Sequence, residues 1–355
     1  ENILTQLPEK FIDEAILAIS SWDNYAPTPL IKLNKLNDEL KFKNIYYKDE
    51  DKRFELKSFK ALGGAFAVYK IASEKKNITV STATAGNHGR SVAWGAQRLG
   101  LKCKIFISEF VSESRAEAMR NLDAEVIRVK GNYDNSLKEC IKQSNANNWE
   151  IVQDVSWEGY KEVPKLIMAG YTIMVKEILD EINSNSITHV FLQAGVGGMA
   201  AAMVAGFAKL SKNIPKFITV EPENADCVFQ SIKNNKPTTV DIKKETIMGG
   251  MSCGDVSSIA WEILKNSTNY CLTIPDEAIS TTVALLAEKH LSDEKIIAGE
   301  CAVPGIIALI GSFNNKEYLD KLELNEQSNV LLFGCEGLTD NAMYQKLLSD
   351  GLQKI

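Results

Sequence analysis

The sequence of 355 residues has few histidines and no clustered cysteines. Its three histidines, His88, His189 and His290, are far apart in the chain, so they predict no metal site. Its seven cysteines are scattered, and none forms a Cys-x-x-Cys pair. The sequence therefore lacks the cysteine spacing of structural zinc sites and does not suggest a disulfide framework. Such cysteine usage is typical of a reduced, cytoplasmic enzyme.

Long apolar runs and basic tracts are missing as well. No stretch approaches the roughly 18 apolar residues that a membrane-spanning helix needs. Acidic and basic residues are interspersed, with a formal net charge of −6, and no basic stripe suits nucleic acid. The first 21 residues carry Glu9, Lys10, Asp13 and Glu14, unlike a secretory signal. These features predict neither a membrane nor a nucleic-acid partner.

Strand and helix patterns alternate through much of the chain. With 45% hydrophobic and 24% charged residues, the composition is that of a globular protein with a sizeable core. Short β-type runs alternate with helical periodicity over residues 78–153 and again over 189–220. This repeat predicts crossover units and parallel sheet. Since no linker is visible, we expect two interwoven α/β domains: residues 1–66 with 185–355, and residues 67–184.

Lys60 stands where a predicted helix begins, among apolar neighbours. Phe59 precedes it, Ala61-Leu62 follow, and the pair Gly63-Gly64 comes next. One interpretation is a surface lysine whose aliphatic stem covers apolar surface. The other is a lysine that holds pyridoxal phosphate as a Schiff base. Taken alone, this stretch favours the surface lysine, and the choice depends on the rest of the chain.

A glycine loop, Gly195–Gly198, links the strand pattern at His189 to a helix pattern that opens at Met199. Three glycines in four positions let backbone N–H groups converge, and a helix N-terminus adds positive potential. No Lys-Ser/Thr follows, so this is not a nucleotide P-loop, and it lacks the dinucleotide spacing. The pattern favours a phosphate site over close helix–strand packing, which also selects glycine.

Two further loops follow predicted strands. Small residues in the carboxylate loop, Thr84–His88, expose N–H groups that suit a carboxylate, and Asn87 could reach a phenolic oxygen. The alternative is an ordinary Asn/Gly helix start. Asp154 ends the strand pattern at Ile151-Val152. Its carboxylate is a candidate acid, base or amine anchor, or else a turn cap. A lysine, a phosphate loop and a carboxylate loop together suit an amino-acid enzyme that uses pyridoxal phosphate.

Three motifs carry a resemblance to a known family. Ser58-Phe59-Lys60, Gly86-Asn87-His88 and Gly195-Val196-Gly197-Gly198 resemble the signatures of fold-type II pyridoxal-phosphate enzymes, the tryptophan synthase β and threonine dehydratase superfamily. The segment Trp157–Tyr160 points within it to the diaminopropionate ammonia-lyases. The resemblance spans nearly the whole chain. It implies two interwoven three-layer α/β domains, a cofactor bound by the larger one, and a homodimer.

The resemblance also implies the roles of individual residues. Lys60 and Asp154 would be catalytic. Cofactor contacts are implied for the following residues: Phe59, Lys60, Asn87, Gly195, Val196, Gly197, Gly198, Met199, and either Cys335 or Thr339 at the pyridine nitrogen. Substrate contacts are implied for the following: Thr84, Ala85, Gly86 and His88. A neutral partner for the pyridine nitrogen would favour elimination over transamination.

One residue departs from the lyase pattern. Ala85 stands where those enzymes have an aspartate that is associated with taking the α-proton of the D isomer. The expected reaction is therefore α,β-elimination of ammonia from L-2,3-diaminopropionate, giving pyruvate and ammonia. Lys60 would take the α-proton and Asp154 would position the β-ammonium group. Two alternatives stay open: an L-serine or L-threonine dehydratase, which Ala85 favours, and a non-catalytic protein that binds the cofactor or an amino acid.

Overall fold

The structure, a computed structural model, describes residues 3–182 and 186–355. The chain divides into two compact units. The larger contains the described residues of 1–6, 27–57 and 174–355, and the smaller contains Leu7–Ala26 and Ser58–Ile173. No helix in the described part combines the length and apolarity that crossing a membrane requires.

Helices account for much of the described chain. In chain order they are α1 (Ile3–Gln6), α2 (Glu9–Ser20), α3 (Asn34–Leu40), α4 (Lys60–Glu74), α5 (Asn87–Arg98), α6 (Glu113–Arg120), α7 (Tyr133–Asn147), α8 (Glu162–Tyr171), α9 (Ile173–Glu181), α10 (Gly198–Leu210), α11 (Cys227–Asn234), α12 (Ser258–Leu264), α13 (Glu277–Ala287), α14 (Pro304–Phe313), α15 (Lys316–Leu322) and α16 (Asn341–Leu352). Short 3₁₀ turns lie at Glu50–Lys52 and Gly249–Met251.

The strands form one sheet in each unit. In chain order they are β1 (Leu30–Lys32), β2 (Asn44–Asp49), β3 (Thr79–Ala83), β4 (Lys102–Ser108), β5 (Ala124–Val129), β6 (Glu150–Ile151), β7 (His189–Gln193), β8 (Lys216–Pro222), β9 (Thr268–Ile274) and β10 (Asn329–Gly334). The larger sheet has the order β1-β2-β10-β7-β8-β9, and the smaller has β5-β4-β3-β6. Every pair is parallel except β1 with β2. The predicted fold class is confirmed.

In the smaller unit, two candidate loops leave the same edge of the sheet. β3 pairs with β6, with Val80 opposite Glu150 and Ser81 opposite Ile151. Because both strands are parallel, their carboxyl ends meet at one edge, where open α/β sheets bind ligands. The carboxylate loop follows β3, and Asp154 comes shortly after β6. The topology therefore brings these two parts of the site together.

Glycines allow α4 to approach its neighbours closely, and this fixes the position of Lys60. A Cβ at Gly63 would lie 2.5 Å from the Tyr171 ring, and a Cβ at Gly64 would lie 2.5 Å from the Ser91 hydroxyl. Lys60 is the first residue of α4. Any larger residue at either glycine would displace the helix, so tight packing holds the lysine at the sheet edge.

The predicted domains differ from the compact units at their boundaries. The units assign Leu7–Ala26 and residues 58–66 to the smaller one, and residues 174–182 to the larger one. α4 packs on α5 and α8 from its first turn, and α2 packs on α4 and α8. These contacts explain why both helices belong to the smaller unit. The domain limits, residues 1–66 with 185–355 and residues 67–184, stay a prediction.

The segment from Glu162 to Glu181 forms two helices with a break between them. α8 ends at Tyr171 and α9 begins at Ile173. Between them, the Thr172 hydroxyl donates to the Ala169 carbonyl at 2.6 Å. A threonine that bonds back to its own helix competes with the backbone hydrogen-bond pattern and favours a break. Periodicity alone does not reveal this, since the apolar spacing continues across Thr172.

A buried ion cluster ties several segments of the larger unit together. It consists of Thr28, Lys48, Glu50, Arg53 and Glu177. Arg53 is 1% exposed and donates to Glu50 and Glu177, each at 2.8 Å. Lys48 bonds Glu177 at 2.7 Å, and the Thr28 hydroxyl donates to Glu50 at 2.6 Å. Burial opposes ionisation of Glu177, but its bonds to Arg53 lower its pKa to about 2. Two cations and two anions thus balance within the core.

Removing one charge from this balance should be costly. Arg53→Met is expected to lower the free energy of unfolding by about 3–5 kcal/mol, because two carboxylates would stay buried without their main partner. Urea unfolding followed by circular dichroism measures this. Lys321→Met, which breaks an exposed pair with Glu317, is the control and should leave the transition unchanged. Equal midpoints for both variants would contradict a structural role of the cluster.

Candidate active site

Lys60 and Asp154 form an ion pair in the smaller unit. The Lys60 ammonium lies 2.5 Å from Asp154 Oδ2, and the two side chains are 26% and 14% exposed. Burial alone would raise the pKa of Asp154, but the Lys60 ammonium, which bonds the carboxylate directly, holds that pKa well below its usual range. The carboxylate is therefore ionised at neutral pH. The two residues predicted to be catalytic lie in direct contact.

Aromatic rings flank the lysine. The Lys60 ammonium is 5.5 Å from the Phe59 ring centroid and 5.9 Å from that of Tyr171. The two rings meet edge to face, with centroids 4.7 Å apart. Burial raises the pKa of Tyr171, so this phenol stays protonated. The rings restrict the lysine to the side where Asp154 lies and stabilise its cation. Sequence spacing alone did not identify Tyr171.

His88 belongs to this site through its side chain. The ring is 4% exposed, and Nε2 lies 2.7 Å from the Val152 carbonyl. Nδ1 lies 3.8 Å from Asp154 Oδ2 and has no hydrogen-bond partner. Burial lowers the pKa of His88, and the Lys60 charge adds to this effect against the opposing charge of Asp154. The sequence pattern placed His88 in the carboxylate loop but did not indicate that its ring faces Asp154.

The carboxylate loop is shaped by its own threonine. The buried Thr84 hydroxyl accepts the amide N–H groups of Gly86 at 3.0 Å and Gly89 at 3.1 Å. Ala85 is exposed, and its carbonyl accepts a bond from Arg115 at 3.4 Å. Asn87 is half-buried and opens α5. The loop therefore presents small residues and backbone groups at the sheet edge, and its fit to a carboxylate stays a prediction.

Gln153, which sequence analysis did not single out, joins the carboxyl ends of β3 and β6 through hydrogen bonds. Its side-chain oxygen accepts the Ala83 amide at 3.0 Å, and its amide group donates to the Ala83 carbonyl at 2.9 Å and the Tyr133 hydroxyl at 2.7 Å. The Tyr160 hydroxyl accepts a hydrogen bond from the backbone N–H of Gln153 at 2.9 Å. These bonds hold the backbone immediately before Asp154. The signal available in the sequence was a polar residue directly before a strand-end carboxylate.

The glycine loop lies in the larger unit, at the carboxyl end of β7. The Gly195 carbonyl accepts a bond from the Cys227 thiol at 3.4 Å, and the Val196 carbonyl accepts the Ser257 amide at 2.9 Å. Gly197 has a φ of +91°, a conformation that favours glycine. α10 starts at Gly198 without a side-chain cap, and nothing lies within 4 Å of a Cβ built there.

These features fit the phosphate of a cofactor. The loop carbonyls are engaged, while the first amides of α10 have no acceptor within their own helix. A helix N-terminus with open space in front of it is suited to an anion. Met199, predicted as a further cofactor contact, is buried as the second residue of α10. Together with an aldehyde-reactive lysine amine at Lys60, the chain holds the donor types that pyridoxal phosphate requires.

The segment after β10 supplies a neutral thiol. Cys335 is buried and donates to the Cys301 carbonyl at 3.1 Å. Gln193 donates to the same carbonyl at 2.9 Å. Thr339 is half-buried and lies four residues further along, where its amide bonds the Gly337 carbonyl at 2.9 Å. Either side chain would be uncharged opposite a pyridine nitrogen, and the choice between them stays open.

Three buried side chains beside this segment carry atoms of the kinds that can ligate metals. Glu300, Cys301 and Glu336 bring possible ligand atoms within 4.8 Å of one another. Glu336 Oε1 accepts the Cys301 amide at 3.0 Å. Burial raises the pKa of the Cys301 thiol far above its ordinary value. We propose no metal here.

Comparison with known proteins agrees with this arrangement. Diaminopropionate ammonia-lyase of Escherichia coli K12 is 34% identical over 352 residues, which cover 92% of this chain and 88% of the relative. The structure of the Escherichia coli enzyme in complex with D-serine matches with a TM-score of 0.91 and 32% identity, covering 98% of this chain and 93% of that one. Its complex with an aminoacrylate-PLP azomethine reaction intermediate matches at 0.89, with 33% identity and the same coverage.

The family match spans most of the chain. The family described as "Pyridoxal-phosphate dependent enzyme" matches residues 22–336. That range includes the lysine at the start of α4, the carboxylate loop, Asp154 and the glycine loop. This chain therefore belongs to the pyridoxal-phosphate dependent enzyme family.

Proposed function

We propose that this chain is an ammonia-lyase that eliminates ammonia from L-2,3-diaminopropionate, giving pyruvate and two molecules of ammonia. The observation that carries the proposal is the Lys60–Asp154 contact of 2.5 Å. It places an amine able to hold the cofactor beside a carboxylate able to hold a cationic leaving group. Similarity to diaminopropionate ammonia-lyase over 92% of the chain supports the same substrate.

The chain's own residues have distinct tasks in this reaction. Bound pyridoxal phosphate supplies an electron sink for negative charge that develops at the α-carbon. Lys60, released when the substrate amine takes its place, accepts the α-proton at Nζ. Asp154 binds the β-ammonium group, which leaves as ammonia when the bond to the β-carbon breaks. The enamine that remains is hydrolysed by water to pyruvate and the second ammonia.

The charge of Asp154 favours an amine as leaving group. An ionised carboxylate attracts an ammonium ion, and both are only partly exposed to solvent, which strengthens the attraction. A hydroxyl leaving group instead needs a proton donor, which an ionised carboxylate does not provide. This favours the lyase over an L-serine or L-threonine dehydratase. A panel of L-2,3-diaminopropionate, L-serine and L-threonine separates these activities by the keto acid formed, and no turnover with any would indicate a non-catalytic binding protein.

We also propose that the enzyme is a homodimer in a reduced, cytoplasmic compartment. Similarity to its family supports the dimer. All seven cysteines are free thiols, which supports a reducing environment. Light scattering of the holo-protein at micromolar concentration measures the oligomeric state, and a monomer mass would refute the dimer.

Lys60→Ala is expected to abolish turnover of L-2,3-diaminopropionate and the visible absorbance of the lysine-bound cofactor. The variant lacks the amine that both attaches the cofactor and accepts the α-proton. Spectrophotometry and coupled pyruvate detection measure the two effects. Lys75→Ala, which removes an exposed lysine paired with Glu150, is the matched control and should retain both. A Lys60→Ala protein with normal absorbance and turnover would refute the assignment.

Asp154→Asn should lower kcat/KM for L-2,3-diaminopropionate by about 100-fold or more, because it removes the charge that binds the leaving group. Cofactor loading, measured by absorbance, should stay close to that of the natural protein. Glu150→Gln, at the start of β6, is the control for loss of a nearby carboxylate. If Asp154→Asn instead loses the cofactor in proportion to activity, the residue is structural.

The natural protein is expected to act on the L isomer of diaminopropionate and not on the D isomer. Ala85 offers no group that could take the α-proton from the opposite face. Ala85→Asp should raise the rate with the D isomer at least about 100-fold, the lower end of the effect of a positioned general base. Pyruvate formation from each isomer measures this. Substantial turnover of the D isomer by the natural protein would show that Ala85 does not determine stereochemistry.

A further inference from the structure

His88 has a defined proton position. Its Nε2 lies 2.7 Å from the carbonyl oxygen of Val152. A carbonyl oxygen only accepts hydrogen bonds, so Nε2 must carry the proton. In a neutral imidazole, the other nitrogen then carries a lone pair. Nδ1 is therefore an acceptor.

This acceptor is buried and unsatisfied. The His88 side chain is 4% exposed, and Nδ1 has no hydrogen-bond partner. Leaving a buried polar atom unpaired is unfavourable, and such atoms in a folded protein call for an explanation. The charged groups that face His88 are Asp154 and Lys60. Burial and the Lys60 charge lower the pKa of His88, which keeps the ring neutral at physiological pH.

A second acceptor lies close to this nitrogen. Asp154 Oδ2 lies 3.8 Å from His88 Nδ1. Neither atom carries a proton, so they cannot bond each other directly. Two acceptors at this separation can both lie about 2.9 Å from one nitrogen placed between them. They form an acceptor pair that suits a group with at least two N–H donors.

Lys60 shows that a cationic nitrogen is accommodated here. Its ammonium bonds the same Asp154 oxygen that faces His88. To accept the α-proton, the released Lys60 must be a neutral amine with its lone pair toward the substrate, so its ammonium no longer occupies this oxygen and another cation can bind there. A primary ammonium has three N–H donors and can serve both acceptors, whereas a hydroxyl has one O–H and can serve only one.

We propose that His88 Nδ1 and Asp154 Oδ2 together bind the β-ammonium group of the substrate and select it over a β-hydroxyl. This inference rests on the proposed function and names the determinant of its leaving-group specificity. His88 thereby acts as a substrate-binding residue through its ring. Leaving this buried acceptor unpaired is unfavourable, and a hydrogen bond from the bound ammonium group removes that penalty.

Two substitutions separate the nitrogens of His88. In His88→Gln, the side-chain amide reaches the position of Nε2 and can still donate to Val152, but no acceptor remains at the position of Nδ1. In His88→Asn, the shorter side chain places an oxygen near the position of Nδ1 and loses the bond to Val152. The pair is matched because each variant keeps one of the two polar positions.

The measured quantity is the ratio of kcat/KM for L-2,3-diaminopropionate to that for L-serine. His88→Gln should lower this ratio about 10- to 100-fold, the factor expected for one charge-assisted hydrogen bond. The loss should appear mainly with the amine substrate, because only an ammonium group uses both acceptors. His88→Asn should keep most of the ratio, whatever it loses in overall rate. Equal loss of the ratio in both variants, or no change in either, would overturn the proposal.

A spectroscopic measurement tests the acceptor itself in the natural holo-protein. The chain has three histidines, so ¹⁵N imidazole spectra can be assigned by comparison with His88→Gln. The expected signal for His88 has a protonated Nε2 and an unprotonated Nδ1 at pH 7.5. A proton on Nδ1 would overturn the proposal without affecting the lyase assignment. Failure of the natural protein to release pyruvate from L-2,3-diaminopropionate would instead refute the proposed function.

Discussion

The ion pair between Lys60 and Asp154 is the contact on which the candidate active site depends. It joins the first residue of α4 to the loop after β6. Close packing of α4 through Gly63 and Gly64 fixes one partner, and the hydrogen bonds of Gln153 fix the backbone before the other. The Lys60 charge keeps the carboxylate ionised in a place where burial alone would favour its neutral form. The ionised state of the Asp154 carboxylate is thus a consequence of how the helix and the strand pack.

The ion cluster and the surroundings of His88 differ in how their buried polar groups are satisfied. In the ion cluster of the larger unit, each cation meets carboxylates at ordinary hydrogen-bond distances, and the charges balance. In the smaller unit, His88 Nδ1 stays unpaired beside an ionised carboxylate. The first arrangement stabilises a fold, since every buried group is satisfied. The second leaves one buried acceptor without a donor, which is expected where a bound ligand supplies that donor.

Membership in the pyridoxal-phosphate dependent enzyme family confirms the predicted cofactor. For specificity we propose that a few loop positions matter on a frame that consists of the lysine, the glycine loop and the sheet edge. In this proposal, Ala85 in the carboxylate loop and the acceptor pair of His88 and Asp154 distinguish possible substrates. The first concerns which face of the α-carbon loses its proton. The second concerns which group leaves from the β-carbon.

The sequence by itself determined the fold class and the residues to inspect. Alternation of strands and helices specifies parallel sheet, because parallel neighbours are joined by crossover connections. The glycines at 195, 197 and 198 indicate a turn whose backbone conformation other residues adopt less readily. The break at Thr172, the role of Gln153 and the direction of the His88 ring came only from tertiary structure. Each depends on a contact between residues distant in sequence, or on a side-chain bond that competes with helix periodicity. Lys60 alone resembled a surface lysine, and the glycine loop and the carboxylate loop shifted the prediction toward a cofactor lysine. Only the tertiary structure revealed its 2.5 Å contact with Asp154, 94 positions away.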